Sequence, residues 1–189
     1  MRRWCLPLVL TIFALCCAAG ASAQTDDTTT TEPSLPPGAP VGTEPPPANT
    51  ATIAPNGTAV PPANTPLAIR NAIRAANQIH RKTYIWGGGH RSWRDRGYDC
   101  SGAVSYVLHA AGMLSYPLVS GQLAKFWGAP GAGSWITVYA NKVHTYMVIA
   151  GLRFDTSPRG ESVNQGRGPR WRYTLRTNTG FRVRHYPGF

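Results

Sequence analysis

The sequence YDCSGAVSYVLHAAG, residues 98–112, predicts a helix that begins at Cys100. Asp99 is a suitable N-cap, and Gly112 is a natural end for the helix. The apolar face of this helix comprises Val104, Val107, Leu108 and Ala111. The unpaired N–H groups and the positive end of the helix dipole would then face the sulfur of Cys100 and favour its thiolate. A nucleophilic cysteine needs this help because an ordinary thiol is mostly protonated at neutral pH, whereas a buried structural cysteine, the alternative interpretation, does not.

The N-terminal segment has the features of an export signal. Arg2 and Arg3 precede an apolar run over 6–19, and the small residues that follow fit a cleavage site after Ala23, so residues 1–23 are a predicted signal peptide. The apolar run is too short for a convincing membrane span. We therefore expect a secreted or cell-envelope protein that has no membrane span once the signal is removed. Of the four cysteines only Cys100 lies outside this signal, so it has no partner for an internal disulfide.

A change in composition after the signal predicts two further regions. Residues 24–65 are rich in Thr, Pro and Ala with few large apolar side chains, which predicts a disordered linker. Residues 66–189 have the length of one compact domain. This domain holds 17 of the 19 Lys and Arg residues and four of the eight Asp and Glu residues, which gives it a net charge of +13. Such an excess predicts attraction to polyanions, and for an exported protein we expect anionic wall polymers rather than nucleic acid.

The hydrophobic pattern places helices before strands. Thr65 and Pro66 have the pattern of an N-cap and a first helical residue, and apolar residues at helical spacing predict a helix over 66–81. A short β-type run then ends at three glycines, residues 87–89. The strands predicted beyond the second helix cover 135–139, 143–149, 152–156 and 180–185, with turns at Asn141 and Gly151. Helices followed by an antiparallel meander define an α+β domain.

His144 begins one of these strands, which we expect to pack against the helix that carries Cys100. Asp155 lies in the corresponding part of the neighbouring strand if the chain turns at Gly151. A cysteine, a base within hydrogen-bonding reach and a third polar group that orients the base form the general arrangement of thiol catalysis. A solvated histidine with no catalytic role is the alternative for His144.

Several short motifs together resemble the NlpC family of bacterial cell-wall cysteine endopeptidases. They are Tyr-Ile-Trp-Gly-Gly at 84–88, Gly-Tyr-Asp-Cys-Ser-Gly at 97–102, Ser120 with Gln122, and His144 at the start of a strand. The resemblance covers about residues 66–160. It implies a papain-like α+β fold, with N-terminal helices packed on an antiparallel sheet, and hydrolysis of amide bonds in the stem peptides of peptidoglycan.

The same resemblance implies a role for each matching residue. Cys100 would be the nucleophile and His144 the general base. Tyr84 would place its hydroxyl near the oxyanion of the reaction. We also expect His90 and Ser101 to face the substrate or the oxyanion.

Three features depart from the family pattern. Family members usually carry a polar residue, often a second histidine, about a dozen positions after the catalytic histidine, and Asp155 fills that place here. An aspartate can also orient and charge an imidazole, so the chemistry is compatible with the change. The loop over 89–97 is longer and more basic than usual, and the tail over 167–189 matches nothing in the family. We expect the arginines of these two segments on the surface: Arg91, Arg94, Arg96, Arg167, Arg170, Arg172 and Arg176.

Other functions are compatible with the same residues. A related cysteine amidase or acyltransferase would use Cys100 and His144 on a different bond or with a different acceptor. A basic wall-binding module with a silent catalytic apparatus would cleave nothing. The histidines show no spacing typical of metal ligands, so we expect neither a metal nor another cofactor. We expect a monomer whose partner is peptidoglycan.

Overall fold

The computed structural model describes residues 49–157, 168–173 and 175–189. The expected signal peptide and the expected linker as far as residue 48 lie outside these described residues. The helices in the described part are α1 (Leu67–Ile79), α2 (Cys100–Ala110) and α3 (Ser120–Phe126). The strands are β1 (Thr52–Ile53), β2 (Ala59–Val60), β3 (Ala129–Pro130), β4 (Ile136–Ala140), β5 (Thr145–Ile149), β6 (Leu152–Asp155), β7 (Arg170–Arg172) and β8 (Arg182–His185). No helix within the described ranges has the length and apolar character needed to cross a membrane.

The main sheet confirms the predicted α+β class. It has six antiparallel strands in the order β3-β8-β4-β5-β6-β7. The meander of β4, β5 and β6 matches the predicted strands, and the predicted C-terminal strand is β8, which inserts between β3 and β4. The short strands β3 and β7 were not predicted from the sequence, because two or three residues carry no detectable periodicity.

A two-residue turn sets the register between β5 and β6. Ile149 pairs with Leu152, and both turn residues, Ala150 and Gly151, have positive φ, at 45° and 77°. Two positive φ values match the backbone of the tight hairpin turn that follows the natural twist of two strands. This turn fixes which residues of β6 lie beside which residues of β5, and so it positions the polar residues at their ends.

The two long helices form the other layer of the core. The buried face of α1 consists of Ile69, Ala72, Ile73, Ala75, Ala76 and Ile79, at the helical spacing that the sequence indicated. It packs on α2, and both helices also contact β5 of the sheet. The expected N-cap role of Thr65 is wrong, because its hydroxyl donates to the carbonyl of Pro62 at 2.6 Å and Pro66 is the cap residue.

The prediction of a disordered linker is wrong for residues 49–65. Here β1 and β2 form an antiparallel hairpin, and Ala51 and Ala59 are buried. The side chain of Asn77 on α1 donates to the carbonyl of Ala59 and accepts its N–H, at 2.9 and 2.8 Å. The hydroxyl of Tyr173 accepts the N–H of Ile53 at 2.7 Å. Small side chains are buried here and side chains from distant segments satisfy the backbone, which composition alone does not reveal.

Candidate active site

Cys100 is the first residue of α2 and its side chain is partly exposed. The helix is capped by Asp99, whose Oδ1 accepts the N–H of Gly102 at 2.7 Å. The other carboxylate oxygen accepts the N–H of Gly87 at 3.0 Å. One carboxylate therefore joins the three glycines at 87–89, here called the glycine loop, to the start of α2. This confirms the predicted N-cap. The cysteine sulfur consequently lies at the end of α2 where the unpaired N–H groups are concentrated.

Close backbone contact explains why glycine follows Ser101. A Cβ added to Gly102 would lie 1.9 Å from the carbonyl oxygen of Gly88, a distance that no side chain can tolerate. The carbonyl of Gly88 also accepts the N–H of Asp99 at 3.2 Å. The glycine loop is thus held against the first turn of α2, directly beside Cys100.

His144 lies between Cys100 and Asp155. The side-chain oxygen of Asn141 accepts the backbone N–H of His144 at 2.9 Å and so fixes the turn before β5. Nε2 of the ring lies 2.9 Å from Oδ1 of Asp155. A carboxylate can only accept, so Nε2 carries the proton of this bond and Nδ1 is the ring nitrogen available for the hydrogen bond with the Cys100 side chain. The structure thus brings together the cysteine, the histidine and the aspartate that the sequence singled out.

The surroundings of His144 favour its charged form. Burial acts against the charge, but the hydrogen bonds with Asp155 and Cys100 outweigh burial and raise the pKa of His144 from 6.5 to about 9. For Asp155, burial alone would raise the pKa, but the bond and charge of His144, together with the bonds from Ser157, hold the pKa well below its usual range. At neutral pH the pair is therefore an imidazolium beside a carboxylate.

Asp155 is almost fully buried and accepts several further bonds. The backbone N–H and the hydroxyl of Ser157 donate to it at 2.9 and 3.0 Å. Arg176 Nη1 lies 3.3 Å from Oδ2, and Arg153 Nε lies 3.6 Å from the same oxygen. Each carboxylate oxygen thus has a charged partner, which stabilises the ionised form of this buried side chain.

The C-terminal segment contributes two residues, Arg176 and Phe181, whose contacts the sequence did not reveal. The guanidinium of Arg176 lies 5.2 Å from the ring of Tyr146 and 5.3 Å from that of Phe181. Phe181 also meets the ring of His144 edge-on, at 6.3 Å between centroids. These contacts place the C-terminal segment against the proposed catalytic histidine.

The prediction that all arginines of the tail lie on the surface is therefore wrong. Arg172 is buried, and the side chain of Arg176 is only 22% exposed because it points at Asp155. Arg167 lies outside the described residues. In the loop, by contrast, Arg91, Arg94 and Arg96 are exposed as expected.

The remaining predicted site residues are Tyr84, which lies near Cys100, and His90 and Ser101, which lie at the helix cap. The pKa of Tyr84 is raised, chiefly by burial and to a smaller extent by the charges of Cys100 and Asp99, which lie close to it. His90 Nε2 instead lies 3.2 Å from Oδ1 of Asp99 and 3.0 Å from the hydroxyl of Ser101. The Ser101 hydroxyl also donates to Asp99, at 3.1 Å. His90 and Ser101 thus support the helix cap, and the pKa of Asp99 is lowered because these bonds outweigh its burial.

No protein-family model matches the sequence, and no curated protein is significantly similar to it. Solved structures with a similar fold include a hypothetical invasion protein of Mycobacterium tuberculosis, at 23% identity and a TM-score of 0.45 over 62% of this chain; the chain spans 61% of that structure's length. The peptidoglycan hydrolase RipB of Mycobacterium tuberculosis has 22% identity and a TM-score of 0.49 over 67% of this chain and 68% of its own. An NlpC/P60 family protein from Bacillus cereus has 20% identity and a TM-score of 0.47 over 69% of this chain and 42% of its own. The neighbours therefore include a protein of the family that the motif at Cys100 resembles, and at such identities the likeness concerns the fold alone.

Proposed function

We propose that this chain is an exported cysteine endopeptidase that hydrolyses amide bonds in the stem peptides of peptidoglycan. The observation that carries the proposal is the position of Cys100 at the start of α2, close enough to His144 to raise its pKa, while Nε2 of His144 lies 2.9 Å from Oδ1 of Asp155. A nucleophile, a base and a group that orients the base are the minimum that thiol hydrolysis requires. The choice of peptidoglycan rests on the resemblance of the Cys100 motif to the NlpC family.

The reaction begins with a thiolate. The proton of Cys100 already resides on the charged His144 in this ion pair, and the thiolate sulfur attacks the carbonyl carbon of the scissile amide to form a tetrahedral oxyanion. The N–H groups at the start of α2 and the hydroxyl of Tyr84 are the donors that would stabilise this oxyanion. His144 then passes its proton to the leaving amine, and the C–N bond breaks to give a thioester on Cys100.

Water completes the cycle. His144 accepts a proton from a water molecule, whose oxygen attacks the thioester carbonyl, and the proton returns to the departing sulfur. A histidine with a pKa of about 9 is protonated at neutral pH, so the proton that the leaving amine receives is present on the ring. Asp155 keeps the ring in one orientation through both steps.

The rest of the chain fits action outside the cell. We assign residues 1–23 to a signal peptide cleaved after Ala23 and residues 24–48 to a spacer, with the peptidase domain beginning by residue 49. The positive domain would be attracted to anionic wall polymers. A monomer suffices, because one chain supplies all the proposed catalytic groups, and none of them requires a metal or cofactor.

Digestion of purified peptidoglycan followed by mass analysis of the soluble fragments tests the proposal. We expect free stem-peptide pieces from the unaltered protein and none from Cys100→Ala, and we expect iodoacetamide to block cleavage by labelling Cys100. Release of intact stem peptides from the glycan would instead identify an amidase, and transfer to an added amine an acyltransferase. Undiminished cleavage by Cys100→Ala would refute the role of the cysteine.

A further inference from the structure

A cavity of about 380 Å³ lies next to the turn that carries His144. Its walls come from α3, from the turn between β4 and β5, and from the segment that leads into β8. Three of the lining side chains are cationic: Lys125, Lys142 and Arg182. The lining contains no acidic residue.

The three cations have no acidic partner within the described part of the chain. Lys142 and Arg182 form no ion pair there, and Lys125 lies 5.5 Å from the ring of its neighbour Phe126. All three residues are exposed, so their charges are available to a ligand. Three like charges around one cavity repel each other, and a bound anion would relieve that repulsion.

Two walls of the cavity are continuous with the supports of His144. Asn141, which also lines the cavity, accepts the backbone N–H groups of Val143 and His144 at 2.8 and 2.9 Å. Another lining residue, Gly180, precedes Phe181, whose ring contacts His144. A group bound here would therefore lie against the two segments that support the proposed catalytic histidine, with Lys142 only two residues before His144 in the chain.

We propose that this cavity binds a free carboxylate of the stem peptide that is being cleaved. A cavity of about 380 Å³ has room for a carboxylate together with the part of the peptide that carries it, and its place against the turn before His144 favours an anion that belongs to the substrate itself. The inference rests on the proposed function and adds a specificity to it: peptides with a free carboxylate near the scissile bond are preferred over their amidated forms.

Paired substrates test this specificity. A soluble stem peptide with a free carboxylate is compared with the same peptide in which that carboxylate is amidated. We expect Lys142→Gln combined with Arg182→Gln to raise KM for the acid peptide about tenfold, with kcat nearly unchanged, because two cations near an anion are lost. KM for the amidated peptide should stay the same.

A matched control removes the same charge elsewhere. Arg91→Gln combined with Arg94→Gln neutralises two exposed arginines of the loop before α2, and this pair should change KM for neither peptide. Equal increases in KM for the acid and amidated peptides in the Lys142 and Arg182 variant would overturn the proposal, and so would no change for either.

Direct binding separates this inference from the proposed reaction. Cys100→Ala is titrated with the acid peptide, the amidated peptide and inorganic phosphate, with the ring resonances of His144 as the readout. Tighter binding of the acid peptide, lost on substitution of Lys142 and Arg182, would support the carboxylate site even if the unaltered protein cleaves neither peptide. Binding of phosphate but not of the acid peptide would overturn the proposal and identify a site for a phosphate-bearing wall polymer.

Discussion

At the Asp155 carboxylate, three positively charged groups share two oxygens. His144 approaches Oδ1, while Arg153 and Arg176 approach Oδ2. Arg176 and His144 thus compete for the same anion, and the charge of each disfavours the charge of the other. The protonation of His144 therefore depends on the balance among these groups as well as on its contact with Cys100.

Substitution of Asp155 by asparagine tests this balance. We expect the pKa of His144 to fall below about 9, because the substitution removes both the hydrogen-bond acceptor and the negative charge that raise it. The alkaline limit of kcat/KM should move to lower pH, and kcat should fall about 100-fold, the lower end of what positioned proton transfer contributes. Rates measured from pH 5 to about 10 on a soluble stem peptide provide the test.

Arg176→Gln is the matched control, because it should move the same limit in the opposite direction. Removing this cation leaves more of the carboxylate for His144 and removes a like charge, so the pKa of the ring should rise. Shifts of the same sign in both variants would contradict the competition between Arg176 and His144 for Asp155.

The same pair gives a dependence of stability on pH. Since the pKa of His144 is raised to about 9, its contribution to the free energy of unfolding is fully present below pH 6.5 and is lost as the pH rises through about 9. Since the pKa of Asp155 is lowered, its contribution is present above pH 3.8 and is lost as the pH falls through the lowered value. Urea unfolding should therefore show the largest difference between the unaltered protein and Asp155→Asn at pH 4–6.5, about the interval between these limits. A difference that does not change with pH would contradict this assignment.

For individual residues of the site, the sequence predicts the features that depend only on residues close by in the chain. The cap at Asp99 follows from the few residues around it, and the pairing of His144 with Asp155 follows from strand alternation and a two-residue turn at Gly151. Arg176 lies 21 residues beyond the aspartate that it contacts, and no local pattern determines where that segment returns. Its place in the site could be learned only from the folded chain.

Among the larger elements, the contact between the glycine loop and α2 is the tightest in the site. Gly102→Ala should force the helix end and the carbonyl of Gly88 apart, because backbone on both sides leaves no room for a methyl group. We expect a loss of about 1–3 kcal/mol in the free energy of unfolding. Alkylation of Cys100 by iodoacetamide should also slow, since the sulfur would lose its position beside the loop.

Gly112→Ala provides the control at the other end of α2. Gly112 has a positive φ of 75°, but no other atom lies within 4 Å of an added Cβ. We expect a cost of about 1 kcal/mol from backbone strain alone, without any change in the alkylation rate of Cys100. Equal effects of the two substitutions on that rate would show that close packing at Gly102 does not position the cysteine.

The N-terminal hairpin shows where element prediction fails. Residues 49–65 have the composition of a linker, yet Asn77 and Tyr173 supply the hydrogen bonds that hold them in place. Tyr173 is 120 residues away from its partner Ile53. Composition predicts how much apolar surface a segment can bury by itself, and it does not report surface that another part of the chain offers.

In the molecule as a whole, some arginines are buried and others are exposed to solvent. Arg153 and Arg172 are buried, whereas Arg91, Arg94 and Arg96 are exposed on the loop before α2. Only the exposed charges can steer the protein towards a polyanion. Two buried carboxylates, Asp99 and Asp155, offset these two buried arginines, so among the described residues the excess of positive charge lies on the exposed part of the domain.

Salt should separate wall binding from chemistry. The screening length falls from about 10 Å at 0.1 M to about 3 Å at 1 M salt, so binding to whole cell walls should weaken steeply over this range. Cleavage of a small soluble peptide should change far less, since the proposed bond-making groups are largely shielded from solvent. Sedimentation with walls and rates on the peptide, measured in the same buffers, provide the test, and wall binding that is insensitive to salt would remove the electrostatic role.

The position of β8 in the sheet determines when, during synthesis of the chain, the site can be completed. β8 follows every other described strand in the sequence, yet it lies between β3 and β4. A chain that emerges N-terminus first presents Cys100 and His144 before Arg176 and Phe181 exist. Until those later residues arrive, the sheet cannot close and His144 lacks the ring that supports it from the side. A chain that has been made only as far as His144 therefore carries the thiol without its completed surroundings, and the proposed hydrolysis would have to wait until β8 has joined the sheet.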